Sequence, residues 1–270
     1  LVFDAVIYSP PDSSNITTDI FKVDLGTGDV VQLTEESSDE TFPIWSPNGD
    51  RIAYISNRDG NWEIYIMDTD GTNTSRITQH DADDGLQGLA WSPDGRFIAF
   101  VSDRDEGRNA DTGNFEAENI YVLDVDEMAI GNIDDNAVNI TGHIDLCPAG
   151  EFYRNLAWSV NNELAFSFSC SADWDIYSMD VSQLEPDDMP NPINLTQSQR
   201  IDGALGLDWS PDGHMIVFVA NPDEDVTDNL EIFVLDVIET IESDEPQVVQ
   251  LTDSPTIRSF YAFPAWGTAK

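Results

Sequence analysis

Pro43-Ile-Trp-Ser-Pro-Asn-Gly-Asp-Arg-Ile-Ala-Tyr-Ile-Ser-Asn-Arg-Asp-Gly60 decides the fold. Pro43-Ile44-Trp45 reads as a short strand. Ser46-Pro47-Asn48-Gly49 reads as a turn, since Pro presets φ and Gly accepts positive φ without a Cβ clash. Arg51 to Ser56 reads as a half-buried strand of alternating character. Asn57 to Gly60 turns into Glu63-Ile-Tyr-Ile-Met-Asp68, Asp70-Gly71 turns again, and Ser75-Arg-Ile-Thr78 is a fourth strand. Four antiparallel strands with short turns make one propeller blade.

Working outward, the same pattern returns along the whole chain. Trp91-Ser-Pro-Asp-Gly95, Trp158-Ser-Val-Asn-Asn162 and Trp209-Ser-Pro-Asp-Gly213 repeat the first turn, and Phe263-Pro-Ala-Trp266 begins another copy as the sequence ends. An Ile in the third strand recurs at 20, 64, 120, 176 and 232, and a Thr in the fourth at 34, 78, 141, 196 and 252. Each marker counts five, so the period predicts a stack of like β-units. Ala5 to Ser9 reads as a second strand with no first strand before it, and Phe263–Trp266 would supply that strand. The expectation is an all-β, five-bladed propeller of four-stranded antiparallel blades, one domain over 1–270, closed by pairing of its terminal strands so that no sheet edge is left open.

Composition narrows the function classes. Fifty-two acidic residues face 11 basic ones, a net charge of −41. Nucleic acid is excluded as a partner, because phosphate contacts need clustered Lys and Arg. No apolar run approaches the ~20 residues of a membrane-spanning helix, so no membrane insertion is expected, and no signal peptide is visible. The acids are scattered over every loop, which points to a heavily hydrated, halophilic-like surface. Cofactors are expected to be none, with Ca²⁺ the one candidate at the acidic loops. A monomer is expected.

Trp-Ser-Pro-Asp-Gly followed by Ile-Ala-Phe and then Ile-Tyr-Val-Leu-Asp resembles the TolB-like (PD40, WD40-like) propeller repeat, over nearly the whole chain. The resemblance implies a non-catalytic, extracytoplasmic binding or protein-interaction module, periplasmic, secreted or at the cell surface. Its partner would be a protein, peptide or small ligand at the mouth of the channel. A hydrolase role is not implied, since no Gly-x-Ser-x-Gly elbow follows the repeats. The alternative is a five-bladed glycosidase with carboxylates at the channel mouth, for which Glu40, Asp84, Glu151 and Asp202 are candidates.

Among possible ligand contacts at that mouth, three arginines stand apart from the repeat. Arg154, Arg200 and Arg258 each lie in a connection entering a different consecutive blade, beside Tyr153, Phe260 and Tyr261. Three guanidiniums converging there suit a carboxylate or other anion, while local pairing with Glu151, Asp202 and Asp253 is the plainer account. His80 with Asp81, Asp83 and Asp84 forms a His-plus-acid cluster, with His143 and Asp145 one blade on; a metal there is left open. Cys147 and Cys170 are the only cysteines, and strand direction brings both to one face of the fourth unit, predicting a disulfide and an oxidising compartment.

Overall fold

The computed structural model describes residues 1–8, 16–104, 118–126, 137–144, 152–170, 173–184, 189–197, 202–221 and 230–252. Within them, antiparallel strands form five sheets in chain order. The first holds β1 (Val2–Tyr8), β2 (Ile16–Val23) and β3 (Val30–Gln32). The second holds β4 (Glu40–Trp45), β5 (Arg51–Ser56), β6 (Glu63–Asp68) and β7 (Ser75–Arg76). The third holds β8 (Asp84–Trp91), β9 (Phe97–Ser102), β10 (Asn119–Asp124) and β11 (Val138–Asn139). The fourth holds β12 (Phe152–Trp158), β13 (Glu163–Cys170), β14 (Asp173–Asp180) and β15 (Ile193–Asn194). The fifth holds β16 (Asp202–Trp209), β17 (Met215–Asn221), β18 (Glu231–Asp236) and β19 (Val248–Gln250), with the short helix α1 (Val237–Ser243) between the last two.

This is an all-β, propeller-like arrangement of mostly four-stranded sheets. The first sheet has three strands among the described residues, and the strand expected at Phe263–Trp266 lies outside them. The chain divides into two compact units, residues 1–107 with 121–137 and residues 108–120 with 138–270.

Burial corrects one expectation. β5 has no wet face: Ile52 to Ser56 are all buried. Its side chains alternate between two cores rather than between core and water. Ile52 and Tyr54 join Ile20, Tyr65 and Met67 on one side, while Ala53 and Ile55 join Ile64, Trp91, Ile98 and Phe100 on the other. In the second unit Trp209 does the same with Ala157, Ala165, Ile176 and Phe218, and its Nε1–H donates to the Ala157 carbonyl at 3.1 Å.

The repeat signature has a local cause. In each Trp-Ser copy the Ser hydroxyl accepts the backbone N–H that starts the next strand: Arg51 on Ser46 at 3.0 Å, Phe97 on Ser92 at 2.8 Å, Glu163 on Ser159 at 3.0 Å and Met215 on Ser210 at 2.9 Å. The turn then needs a left-handed residue, which Gly49, Gly95 and Gly213 supply at φ 74°, 73° and 70°. Asn162 fills the same place at φ 63° in the copy lacking Gly, as Asn tolerates that region better than other side chains.

The first strands share a second device. β4, β8, β12 and β16 each break register once or more, with Phe42, Gly85, Asn155 and Gly206 at positive φ inside the irregularity. Such bulges bend and twist a strand. At Gly85 no larger residue fits, since a Cβ would stand 2.8 Å from Ile55 Cγ2.

Candidate functional site

Within each sheet the chemistry-bearing residues lie at the end where first and third strands begin and second and fourth strands finish. The residue ahead of each third-strand Ile is an acid or an amide: Asp19, Glu63, Asn119, Asp175 and Glu231. Each accepts a hydrogen bond from the fourth-strand Thr, at 3.3 Å (Thr34 to Asp19), 2.6 Å (Thr78 to Glu63), 3.1 Å (Thr141 to Asn119) and 2.7 Å (Thr196 to Asp175), and likewise from Thr252 to Glu231. The same hydroxyls accept the backbone N–H of Ile20, Ile64, Ile120, Ile176 and Ile232 at 2.9–3.0 Å. One threonine thus satisfies a backbone donor and a buried polar side chain together, which explains its return in every unit.

A second constellation occurs in the second and third sheets. Each first strand opens on a fully buried acid, Glu40 or Asp84. Two residues beyond the end of the neighbouring strand stands an arginine, Arg58 or Arg104. Arg104 Nη2 lies 2.7 Å from Asp84 and Arg58 Nη2 lies 3.4 Å from Glu40. Both guanidiniums cover aromatic rings, Arg58 over Tyr65 at 4.6 Å and Arg104 over Tyr121 at 4.8 Å. Arg76 closes the set, with Nη2 at 2.5 Å from Glu63 and Nη1 at 2.9 Å from Asp59. Burial pushes the Glu40 and Glu63 carboxyls above the usual range against the pull of their hydroxyl and arginine partners. Asp59 is held below it, first by the Tyr65 hydroxyl and then by Arg76.

The residues expected at the mouth fare differently. Asp84 is buried under Arg104 and presents no surface to a ligand. Tyr153 is likewise a packing residue: its ring is fully buried, with centroids 5.5 Å from Phe166 and 5.2 Å from Phe168. Arg154 is exposed and lies over the Trp174 ring at 4.8 Å. Arg200, Arg258 and Tyr261 lie outside the described residues, as does Cys147; Cys170 ends β13, and nothing is described of its side chain.

His80 is exposed and holds its own loop together. Its Nδ1 accepts the Ala82 N–H at 3.2 Å and its backbone N–H donates to Glu63 at 3.1 Å. Among the described residues no group of three His, Cys, Asp or Glu side chains is placed to hold a metal ion. No described helix is long and apolar enough to cross a membrane.

Neither the acids ahead of the third-strand Ile nor Arg58, Arg76 and Arg104 are among the residues expected at the mouth. The signal was present: an Asp, Glu or Asn occupies that place in all five units.

Residues 15–142 match the model of the Tricorn protease N-terminal beta propeller domain. The Tol-Pal system protein TolB of Syntrophotalea carbinolica is 59% identical over 34 residues, 13% of this chain and 8% of that protein. An uncharacterized peptidase, YuxL of Bacillus subtilis, is 34% identical over 68 residues, 25% of this chain and 10% of that protein. Among solved structures, TolB from Acinetobacter baumannii aligns with a TM-score of 0.62 at 18% identity, covering 93% of this chain and 52% of that one. A puromycin hydrolase aligns with a TM-score of 0.62 at 15% identity, covering 95% of this chain and 36% of that one. The chain therefore spans about half of that TolB, a third of the hydrolase and a tenth or less of the curated relatives it matches. Its repeat sequence resembles that of TolB, and its fold is similar to that of the TolB propeller.

Proposed function

We propose that this TolB-like β-propeller is a non-catalytic binding module, meeting a protein, peptide or small ligand at the strand ends that carry its acids and arginines. The observation that carries the reading is the identity with TolB across a repeat, on a chain whose five sheets align with TolB over nearly their whole extent. The five sheets are taken as five blades of one ring, with Phe263–Trp266 completing the three-stranded first sheet. The same resemblance supports an extracytoplasmic location, and a Cys147–Cys170 disulfide is proposed together with it.

The anion-holding set is Arg154, Arg200 and Arg258. Arg154 supports it by standing exposed, braced on Trp174, rather than folded into a core. His80 and Tyr261 would border the same face. The glycosidase alternative loses ground at Glu40 and Asp84, because fully buried, arginine-paired carboxylates cannot reach a glycosidic oxygen. Calcium at the acidic loops remains a proposal of its own, tested by comparing millimolar CaCl₂ with KCl of equal ionic strength in thermal melts.

The test of function is calorimetric titration with a polyglutamate peptide at 0.15 M KCl. The expected result is saturable binding that vanishes when Arg154, Arg200 and Arg258 are all replaced by Gln, with the melting temperature unchanged. Equal binding by the triple variant, or none by the parent chain, removes the arginine site.

A further inference from the structure

We propose that Asp19 and Glu40 share one proton across the seam between the first and second sheets, and that losing it loosens this seam as pH rises. The two carboxyls are brought together by their neighbours. The Thr18 N–H donates to Asp39 Oδ1 at 2.9 Å, and the side chains of the next residues along, Asp19 and Glu40, come within hydrogen-bonding reach of each other. They are 2% and 0% exposed, beyond the reach of bulk water.

Glu40 uses its two oxygens unequally. Oε1 accepts from Ser38 at 2.6 Å and Ser56 at 2.7 Å, with Arg58 at 3.4 Å. Oε2 is buried and no described group donates to it. An ionised carboxylate would leave that oxygen bare in a low-dielectric site, which is strongly unfavourable. A protonated Oε2 is instead a donor, and Asp19 is the acceptor beside it, its Oδ1 already receiving Thr34. Burial also lifts both carboxyls above their ordinary range, each in the presence of the other.

The local charge count agrees. From the loop before β4 come Glu35, beside Asp19, and Glu36, 3.6 Å from Arg58. From β5 comes Tyr54, whose hydroxyl accepts from Arg58 at 3.1 Å, and from β6 the ring of Tyr65. Among the described ion pairs Arg58 is the cation that reaches Glu40, and Glu36 shares it, while Lys22 of β2 bonds the Thr69 carbonyl farther along the seam. At the next seam the Trp62 N–H bonds Asp83 at 3.0 Å and sets Glu63 opposite Asp84 in the same way. There each acid has its own guanidinium, Arg76 at 2.5 Å and Arg104 at 2.7 Å. The first seam has the same two acids and half the arginines.

A carboxyl that keeps its proton in the folded chain but loses it on unfolding stabilises fully below about pH 4. Its contribution fades as pH climbs to the folded value. Over that window the unfolding equilibrium constant rises about tenfold per pH unit. Carboxyls held low (Asp24, Asp59, Asp70, Asp94 and Asp212) act oppositely and only below their ordinary values, outside the window.

Urea unfolding between pH 5 and 8 in 1 M KCl tests this. The parent chain should lose stability with rising pH by at least the tenfold step. Glu40→Gln, whose amide can donate without a titrating proton, should have a shallower slope than the parent, the remainder belonging to Glu63, which burial also holds high. Asp19→Asn should be equally shallow, its amide now donating to an ionised Glu40. A variant slope equal to the parent's overturns the proposal, as does a flat parent. Should neither variant fold, the infrared carbonyl band of a protonated carboxylic acid in the parent at pH 5 decides. Its presence, fading toward pH 8, supports the shared proton, and its absence refutes it.

Discussion

Replacing Thr78 by Val keeps the shape of a fully buried side chain and removes only its hydroxyl. That hydroxyl accepts the Ile64 N–H at 2.9 Å and donates to Glu63 Oε2 at 2.6 Å. An unsatisfied buried donor costs about 1–3 kcal/mol and a lost bond to a charged group about 1.5–3 kcal/mol. One hydroxyl serves both, so the losses overlap and about 3 kcal/mol is expected. Thr78→Ser keeps both bonds and loses one methyl, about 1 kcal/mol. Urea denaturation at pH 7 of the two variants beside the parent isolates the hydroxyl as the difference, about 2 kcal/mol. If Thr78→Val is no less stable than Thr78→Ser, the repeated threonine is there for strand propensity, and the paired-bond explanation fails.

Other perturbations follow from the same contacts. Arg104→Ala leaves Asp84 buried without its guanidinium and should cost about 3–5 kcal/mol by denaturant melt; a loss below 1 kcal/mol would mean that Asp84 is compensated elsewhere. With a net charge of −41, the melting temperature should climb steeply from low salt to molar KCl as repulsion is screened within about 10 Å at 0.1 M. A flat profile would show that repulsion does not limit stability. Thiol titration of the denatured, unreduced chain should find neither Cys147 nor Cys170 free, and two free thiols would remove the disulfide.

What the sequence disclosed, and what it withheld, divides along a physical line. Turns were legible because Ser-Pro-Asp-Gly states both a hydrogen-bonding partner and a left-handed position locally. Arg51 to Ser56 was legible as a strand, yet its burial was misjudged: four apolar residues in succession at Ile52–Ile55 mean two covered faces, not one. The site was harder to see. Whether a carboxylate is exposed or sealed depends on which side chain the end of the neighbouring strand lays over it, and Asp84, expected at the mouth, is sealed by Arg104. Tyr153 misled for the same reason, its position near a connection concealing a ring packed on Phe166 and Phe168.

The central claim is that five repeats close into one ring, since a mouth shared by all units exists only if they do. Deleting every residue after Pro255 removes the strand expected to complete the first sheet beside β1. Closure predicts loss of cooperative unfolding in a differential scanning calorimetry trace. A truncated chain that melts in one transition at the parent's midpoint would contradict it.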